Sequence, residues 1–216
     1  MAETNLAPNN DATRKEAAEW DNIIETAAGK DQLTQTYNRR GLRHLIRRMT
    51  ASPNDYLDHD GKTLVGQKLG VFMLDLDHFK KLNDRYGHDV GDKVLSEFAV
   101  LLKKSVRNTD AILRYGGEEF VAFFFGGKEG VAIETYKKID KRLKKLPIAT
   151  GENGEHIKIN FSAGLDIKDW DEVEAIADAT SARQLNDTVG QVCKRADQAL
   201  LQAKRKRGML VVVETS

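Results

Sequence analysis

The chain has 216 residues and a formal net charge of +1, from 34 Lys and Arg against 33 Asp and Glu. That length suits one domain of ordinary size with an appended segment, and the charge balance argues against bulk electrostatic binding to nucleic acid or an anionic membrane. Cys193 is the only cysteine, no apolar run is long enough to span a bilayer, and the N-terminus lacks a signal-peptide core.

A soluble, cytoplasmic chain is therefore expected, with residues 1–30 as a tail and linker and 31–216 as the functional domain. Residues 1–10 are polar and contain Pro8, which predicts disorder. From Asp11 to Ala28 the residues are good helix formers, with Ala17, Trp20, Ile23, Ile24 and Ala27 at helical spacing and Gly29 as a stop. Such a stripe packs on its own domain or pairs with a second copy.

A helix is predicted from about Arg40 to Met49, with Leu42, Leu45, Ile46 and Met49 inward. The stretch from Thr50 to Lys68 carries two turn signals, and its Asp55, Asp58, His59 and Asp60 read as a solvated loop rather than as metal ligands. Leu69 to Leu76 reads as a buried strand whose end is marked by Asp75 and Asp77. Asp77 shares the face of Asp75 if the strand persists that far. Phe79, Leu82 and Tyr86 recur at helical spacing, and a longer helix places Val94, Leu95, Phe98, Leu101 and Leu102 inward.

Next comes Arg114-Tyr-Gly-Gly-Glu-Glu-Phe120, set between the apolar runs 111–113 and 121–125. Two β-prone runs joined across Gly116-Gly117 read as a tight hairpin, with the glycines supplying positive φ. Glu118 and Glu119 follow at once, on opposite faces if the strand alternates from there. An amphipathic helix follows over about Val131 to Leu146, then a strand over Ile157 to Ile167. Asp169 to Asp187 is acidic and irregular. A last helix carries Val192, Ala196, Ala199, Leu200 and Ala203, and a final strand covers Met209 to Val213. The order predicts an α/β (α+β) fold, a central mixed, mostly antiparallel sheet flanked by helices.

An acidic strand end beside an acidic hairpin gathers hard oxygen donors of the kind that suit Mg²⁺ or Mn²⁺ bridging to phosphates. His78-Phe79-Lys80-Lys81 opens a helix, where backbone N–H groups and lysine favour an anion. Together these point to nucleotide chemistry.

Gly116-Gly-Glu-Glu-Phe120 resembles the signature of the GGDEF family of diguanylate cyclases. So do Asp31-Gln-Leu-Thr with Asn38-Arg-Arg-Gly, Asp75-Leu-Asp-His-Phe-Lys with Asn83-Asp, Tyr86-Gly-His and Gly91-Asp, Phe161-Ser-Ala-Gly, and Ala196-Asp-Gln-Ala-Leu with Ala203-Lys. The motifs span residues 31 to about 213, in order and at family-like spacing.

The resemblance implies a sheet like that of nucleotide cyclases and polymerase palms, converting two GTP into cyclic di-GMP and two pyrophosphates in a homodimer. It implies Mg²⁺ or Mn²⁺ on the side chains of Asp75 and Glu118 and the carbonyl of Leu76. It also implies Asn83 and Asp92 on guanine, His88 and Phe79 at the substrate, and Lys80 and Lys204 on phosphates. Glu118 becomes the acceptor of the 3′-hydroxyl proton and Glu119 a supporting carboxylate. Arg107 and Asp110 match the family's inhibitory product motif, Arg-x-x-Asp; a plain helix end with a turn aspartate is the alternative. The family's arginine after the last helix has no aligned equivalent here, which leaves Arg205 or Arg207 as substitutes. Leu201 stands where Tyr is frequent, read as a packing change. A degenerate member that binds nucleotide and regulates a protein partner, or another nucleotidyl cyclase, are the rival expectations.

Overall fold

A computed structural model describes residues 28–58, 60–127, 129–151 and 154–213. The helix expected over 11–28 lies outside the described residues except for Ala28. The first helix described in full, α1 (Arg39–Ala51), is capped by Asn38, whose Oδ1 accepts from the Gly41 N–H at 3.1 Å.

Strands β1 (Leu69–Leu76), β2 (Ala111–Arg114), β3 (Glu119–Phe125), β6 (Phe161–Lys168) and β7 (Leu210–Val212) form one sheet in the order β2-β3-β1-β6-β7. β1 lies at the centre, antiparallel to β3 and β6, while β7 joins β6 in parallel. Every residue of β1 is buried, as a strand covered on both faces requires, which explains its unbroken apolar sequence before Asp75. Between β1 and β2 run α2 (Phe79–Tyr86) and α3 (His88–Ser105). After β3 come α4 (Glu129–Lys145), a short hairpin of β4 (Ala149–Thr150) and β5 (His156–Ile157), then β6, α5 (Trp170–Glu174), α6 (Ala182–Lys206) and β7.

The period of two along the strands splits the core between the two faces of the sheet. Val71, Met73, Val121 and Phe123 pack under α1, α5 and α6. Phe72, Leu74, Phe120 and Phe124 pack under α3 and α4, where Phe98 meets Phe120 and Phe161 with ring centroids 5.6 and 5.8 Å apart. Gly164 of β6 lies directly under the α6 backbone at Ala196 and Leu200 and leaves no room for a side chain.

Three expectations need correction. The strand expected over 157–167 is two elements, because β5 turns away to pair with β4 and β6 begins only at Phe161. The irregular 169–187 stretch holds α5 and the first turn of α6, capped by Ser181, whose Oγ accepts from the Gln184 N–H. Leu201 is 57% exposed, so it fills no gap in the core. The 50–68 stretch is the largely exposed loop expected, with the Asp58 Oδ1 accepting from the N–H groups of Asp60 and Lys62 and a Leu57–Thr63 bridge. No group of three or more His, Cys, Asp or Glu able to hold a metal ion by itself occurs among the described residues.

Candidate active site

Antiparallel register sets Glu119, the first residue of β3, directly opposite Asp75 near the end of β1, with Ser162 of β6 opposite Asp75 on the other side. Residues paired in this way project to the same face of a sheet. The hairpin closes through the Tyr115 and Gly116 N–H groups, which donate to the Glu119 carbonyl at 2.8 and 3.3 Å. Arg114 holds the turn from outside, donating to the Gly117 carbonyl at 3.2 and 2.8 Å and pairing with Asp31 at 3.0 Å.

Neither Gly116 nor Gly117 has positive φ, contrary to the expectation from the turn sequence. A Cβ at Gly116 would lie 2.7 Å from the Glu119 carboxylate, the far end of a flexible side chain, so a side chain there would shift that carboxylate rather than break the turn. The opposite-face reading of Glu118 and Glu119 also fails. β3 begins at Glu119, so Glu118 is still in the turn where strand alternation has no force.

Burial raises the pKa of Asp75, opposed by Lys204, whose Nζ donates to Oδ2 at 2.7 Å. Burial and then the Asp75 charge raise both Glu118 and Glu119. Lys204 is the principal counter-charge, with Arg207 and Arg39 acting more weakly on Asp75 and Glu119, and a divalent cation would relieve the repulsion that remains among the carboxylates. The donors are all oxygen, and Mg²⁺ takes only one or two carboxylates, drawing its other ligands from water and phosphate. The residues present therefore fit Mg²⁺ or Mn²⁺ completed by a nucleotide's phosphates.

Asp77 does not join this set. β1 stops at Leu76, and the buried Asp77 carboxylate accepts from the Ser162 hydroxyl at 2.9 Å and the Gly208 N–H at 2.9 Å, with Arg207 Nη1 at 3.6 Å. It ties the loop after β1 to the end of α6. That loop enters α2 through His78, whose φ of 62° is left-handed. Phe79 is buried and Lys80 exposed on the first turn of α2.

One turn on, the Asn83 carboxamide lies against Gly91 and close to Phe79, and its Oδ1 is buried with no hydrogen-bond partner. A buried amide oxygen left unmatched is costly in a stable protein. His88 and Asp92 are exposed on the first turns of α3. Leu76 is 1% exposed at the strand end. Asp75, Glu118, Glu119 and Lys204 are thus brought together, while Lys80, Asn83, His88 and Asp92 line the adjoining α2–α3 corner.

Arg107 and Asp110 lie away from this corner and grip each other. Arg107 donates to Asp110 from Nε at 3.1 Å and Nη2 at 2.8 Å, and to the Phe125 carbonyl at 3.0 Å. The Asp110 carboxylate is fully buried, and burial raises its pKa against the pull of Arg107. Ser162 was not singled out by sequence reasoning, although its place in Phe161-Ser-Ala-Gly and the alternation of β6 carry the signal.

Residues 28–209 match the family model described as Diguanylate cyclase, GGDEF domain. Response regulator PleD of Caulobacter vibrioides is 33% identical over 184 residues, covering 85% of this chain and 35% of PleD. Diguanylate cyclase DosC of Escherichia coli K12 is 32% identical over 145 residues, covering 67% of this chain and 29% of DosC. The chain therefore spans about a third of the length of these curated relatives. Among solved structures, diguanylate cyclase SiaD of Pseudomonas aeruginosa, in complex with its activator SiaC, superposes with a TM-score of 0.67 at 27% identity, covering 94% of this chain and 69% of SiaD. The GGDEF domain of DgcB from Caulobacter crescentus, in complex with c-di-GMP, gives a TM-score of 0.66 at 26% identity, covering 87% and 94%. The shared sheet, the glycine hairpin and this breadth of match establish that the chain belongs to the diguanylate cyclase GGDEF domain family.

Proposed function

We propose that the chain condenses two GTP into cyclic di-GMP and two pyrophosphates. The observation that carries this reading is the convergence of Asp75, Glu118 and Glu119 at the β1–β3 junction, opposed by the single ammonium of Lys204. Mg²⁺ or Mn²⁺ on Asp75, Glu118 and the Leu76 carbonyl would supply charge neutralisation and polarise the attacked phosphate.

The protein's own groups do the rest. Asn83 Oδ1 accepts from guanine and Asp92 takes the guanine N–H donors, a pairing that the adenine edge does not offer. Phe79 and His88 flank the substrate. Glu118 accepts the proton of the 3′-hydroxyl, with Glu119 beside it. The 3′-oxygen forms a bond to the partner GTP's α-phosphorus as the bond to pyrophosphate breaks, and the step repeats in the opposite sense to close the ring. Lys80 and Lys204 offset the charge that develops on the phosphates. One domain presents one GTP, so two copies face each other across a two-fold axis.

Arg207 fills the place of the absent phosphate-binding arginine, since its guanidinium lies 3.6 Å from Asp77 and its charge also acts on Asp75, although it is exposed like Arg205. Arg107 and Asp110 form the inhibitory product site, opening their mutual pair to take cyclic di-GMP. A regulatory protein partner, of the kind SiaC is for SiaD, fits the same scheme.

Incubating the purified chain with GTP and Mg²⁺ and separating the nucleotides by anion exchange tests the reading. Cyclic di-GMP should form, and Glu118→Ala or Asp75→Ala should reduce its rate by about a hundredfold or more. Nucleotide binding without turnover would favour a purely regulatory module, and turnover of ATP would favour another cyclase.

A further inference from the structure

The chain leaves α6 for β7 through Arg207 and Gly208. Arg207 has φ of 56° and ψ of 155°, a backbone region that glycine enters freely and other residues avoid. Gly208 follows at φ of 58°. A residue held in such a conformation persists only where its surroundings fix it.

Gly208 carries the fixing bonds. Its N–H donates to Asp77 Oδ2 at 2.9 Å and to Ser162 Oγ at 3.2 Å, and the Ser162 hydroxyl donates to Asp77 Oδ1 at 2.9 Å. The Gly208 carbonyl accepts from the Tyr136 hydroxyl of α4 at 2.9 Å. Both backbone groups of this one residue are thus engaged, by side chains from the loop after β1, from β6 and from α4.

Packing brings Tyr136 to this position. It is half-buried, and its ring lies against Phe161 of β6 with centroids 5.0 Å apart. Burial, with the charges of Asp140 and Asp77 behind it, pushes the hydroxyl up to about 12, so it remains a donor at neutral pH. α4 packs on one face of the sheet and α6 on the other. The Tyr136–Gly208 bond therefore ties the two helical layers together. Two cations hang on the turn it holds, Arg207 at 3.6 Å from Asp77 and Lys204, one helical turn earlier, at 2.7 Å from Asp75.

We propose that Tyr136 is a positioning residue for the reaction, whose hydroxyl fixes the Gly208 carbonyl and through it sets where the Arg207 guanidinium meets the triphosphate. The proposal rests on the reading of Arg207 as a phosphate ligand in the GTP site. It adds that a residue of α4 governs substrate affinity without touching the substrate.

Tyr136→Phe removes the hydroxyl and keeps the ring on Phe161, so its thermal melt should match the wild type. Steady-state formation of cyclic di-GMP in Mg²⁺, over a range of GTP concentrations, should show KM raised about fivefold and kcat within about twofold, the scale of one neutral hydrogen bond. In an Arg207→Gln background the same change should move KM less than about twofold, because residues that act through one another are not additive. A merely structural tyrosine would lower the melting temperature and impair both backgrounds alike.

An unchanged KM in Tyr136→Phe overturns the proposal and leaves the cyclase reading standing. A fivefold rise in both backgrounds also overturns it, since the hydroxyl would then act by a route other than Arg207. A wild-type KM in Arg207→Gln removes the proposal together with the Arg207 assignment. If the wild type makes no cyclic di-GMP, the cyclase reading falls and calorimetric titration with GTP takes the place of KM. Affinity weakened by Tyr136→Phe in the wild-type background alone then supports the positioning role, and absent or unchanged binding overturns it.

Discussion

Lys204, near the C-terminal end of α6, sets its ammonium 2.7 Å from the carboxylate of Asp75 in β1. The pair joins a helix and a strand far apart in the chain, and its carboxylate side is 6% exposed against 32% for the lysine. Lys204→Met would leave Asp75 buried beside two further carboxylates without its nearest cation. For a pair between surface and interior the expected loss of stability is about 1–3 kcal/mol. Saturating Mg²⁺ should recover much of it, because a cation that binds the folded chain stabilises it by mass action. Urea unfolding in EDTA and in Mg²⁺ measures both, and an equal loss in the two would contradict shared neutralisation of Asp75.

Asn83 offers a separation of stability from substrate binding. Its Oδ1 is buried without a partner, so Asn83→Ala removes an unmatched acceptor and should change unfolding by no more than about 0.5 kcal/mol. The same change removes a guanine acceptor and should raise the KM for GTP about tenfold. A variant that unfolds easily yet keeps its KM would assign Asn83 to packing against Gly91.

The backbone contact between Gly164 and α6 positions Lys204. A methyl group at Gly164 would meet Ala196 and Leu200 of α6, so Gly164→Ala should cost about 1–3 kcal/mol and displace the helix that carries the ammonium. Gly117 is the contrast. Nothing lies within 4 Å of a Cβ built there and its φ is not positive, so Gly117→Ala should alter stability by less than about 0.5 kcal/mol. A large cost at Gly117 would restore the positive-φ account of the hairpin.

These glycines show what a sequence carries and what it withholds. The apolar periods of β1, α3 and β3 were legible because burial on both faces, or on one helical stripe, leaves a pattern in the residues themselves. The placing of Asp75 opposite Glu119 was legible only as two acidic ends, since register depends on pairing between distant strands. Asp77 was legible only on the condition that the strand persisted; β1 stops at Leu76, and the Asp77 carboxylate accepts from Ser162 and Gly208 instead. The break between β5 and β6 was hidden for a related reason. His156-Ile157 and Phe161 onward are both β-prone, and only pairing with β4 separates them. The Arg107–Asp110 pair was legible as a spacing, but its closure was not, because the third partner is the carbonyl of Phe125.

Cys193 lies on α6 facing the core at 1% exposure, and burial pushes its thiol up to about 12. Near pH 8 only about one molecule in ten thousand would carry the thiolate, the reactive form. Iodoacetamide should therefore leave the native chain unmodified from pH 7 to 10 and label it promptly in urea, where the ordinary thiol value of about 8.5 applies. A folded thiol that holds its proton longer than the unfolded one binds more protons at alkaline pH, so stability from this group declines as pH rises past about 8.5. Mass spectrometry of native and denatured samples reads the first effect and unfolding at pH 8 and 10 the second. Rapid native labelling would mean that α6 opens readily.

Arg207 supplies the last test. Its backbone is left-handed, with φ of 56°, immediately before Gly208, whose N–H donates to Asp77. That turn swings the guanidinium to 3.6 Å from Asp77 and within reach of the Asp75 charge, beside the loop whose N–H groups open α2. On the proposed reading, a guanidinium there would meet a triphosphate beside the first turn of α2, whose N–H groups also favour an anion. Arg207→Gln should raise the KM for GTP about tenfold, while Arg205→Gln, exposed on the last turn of α6, should shift it less than about twofold. Arg207→Lys should recover part of the loss, as a point charge without the planar fork. Steady-state kinetics over a range of GTP concentrations decides it. Equal KM values for Arg207→Gln and the wild type would remove Arg207 from the phosphate site and leave it as a strut for the Asp77 carboxylate.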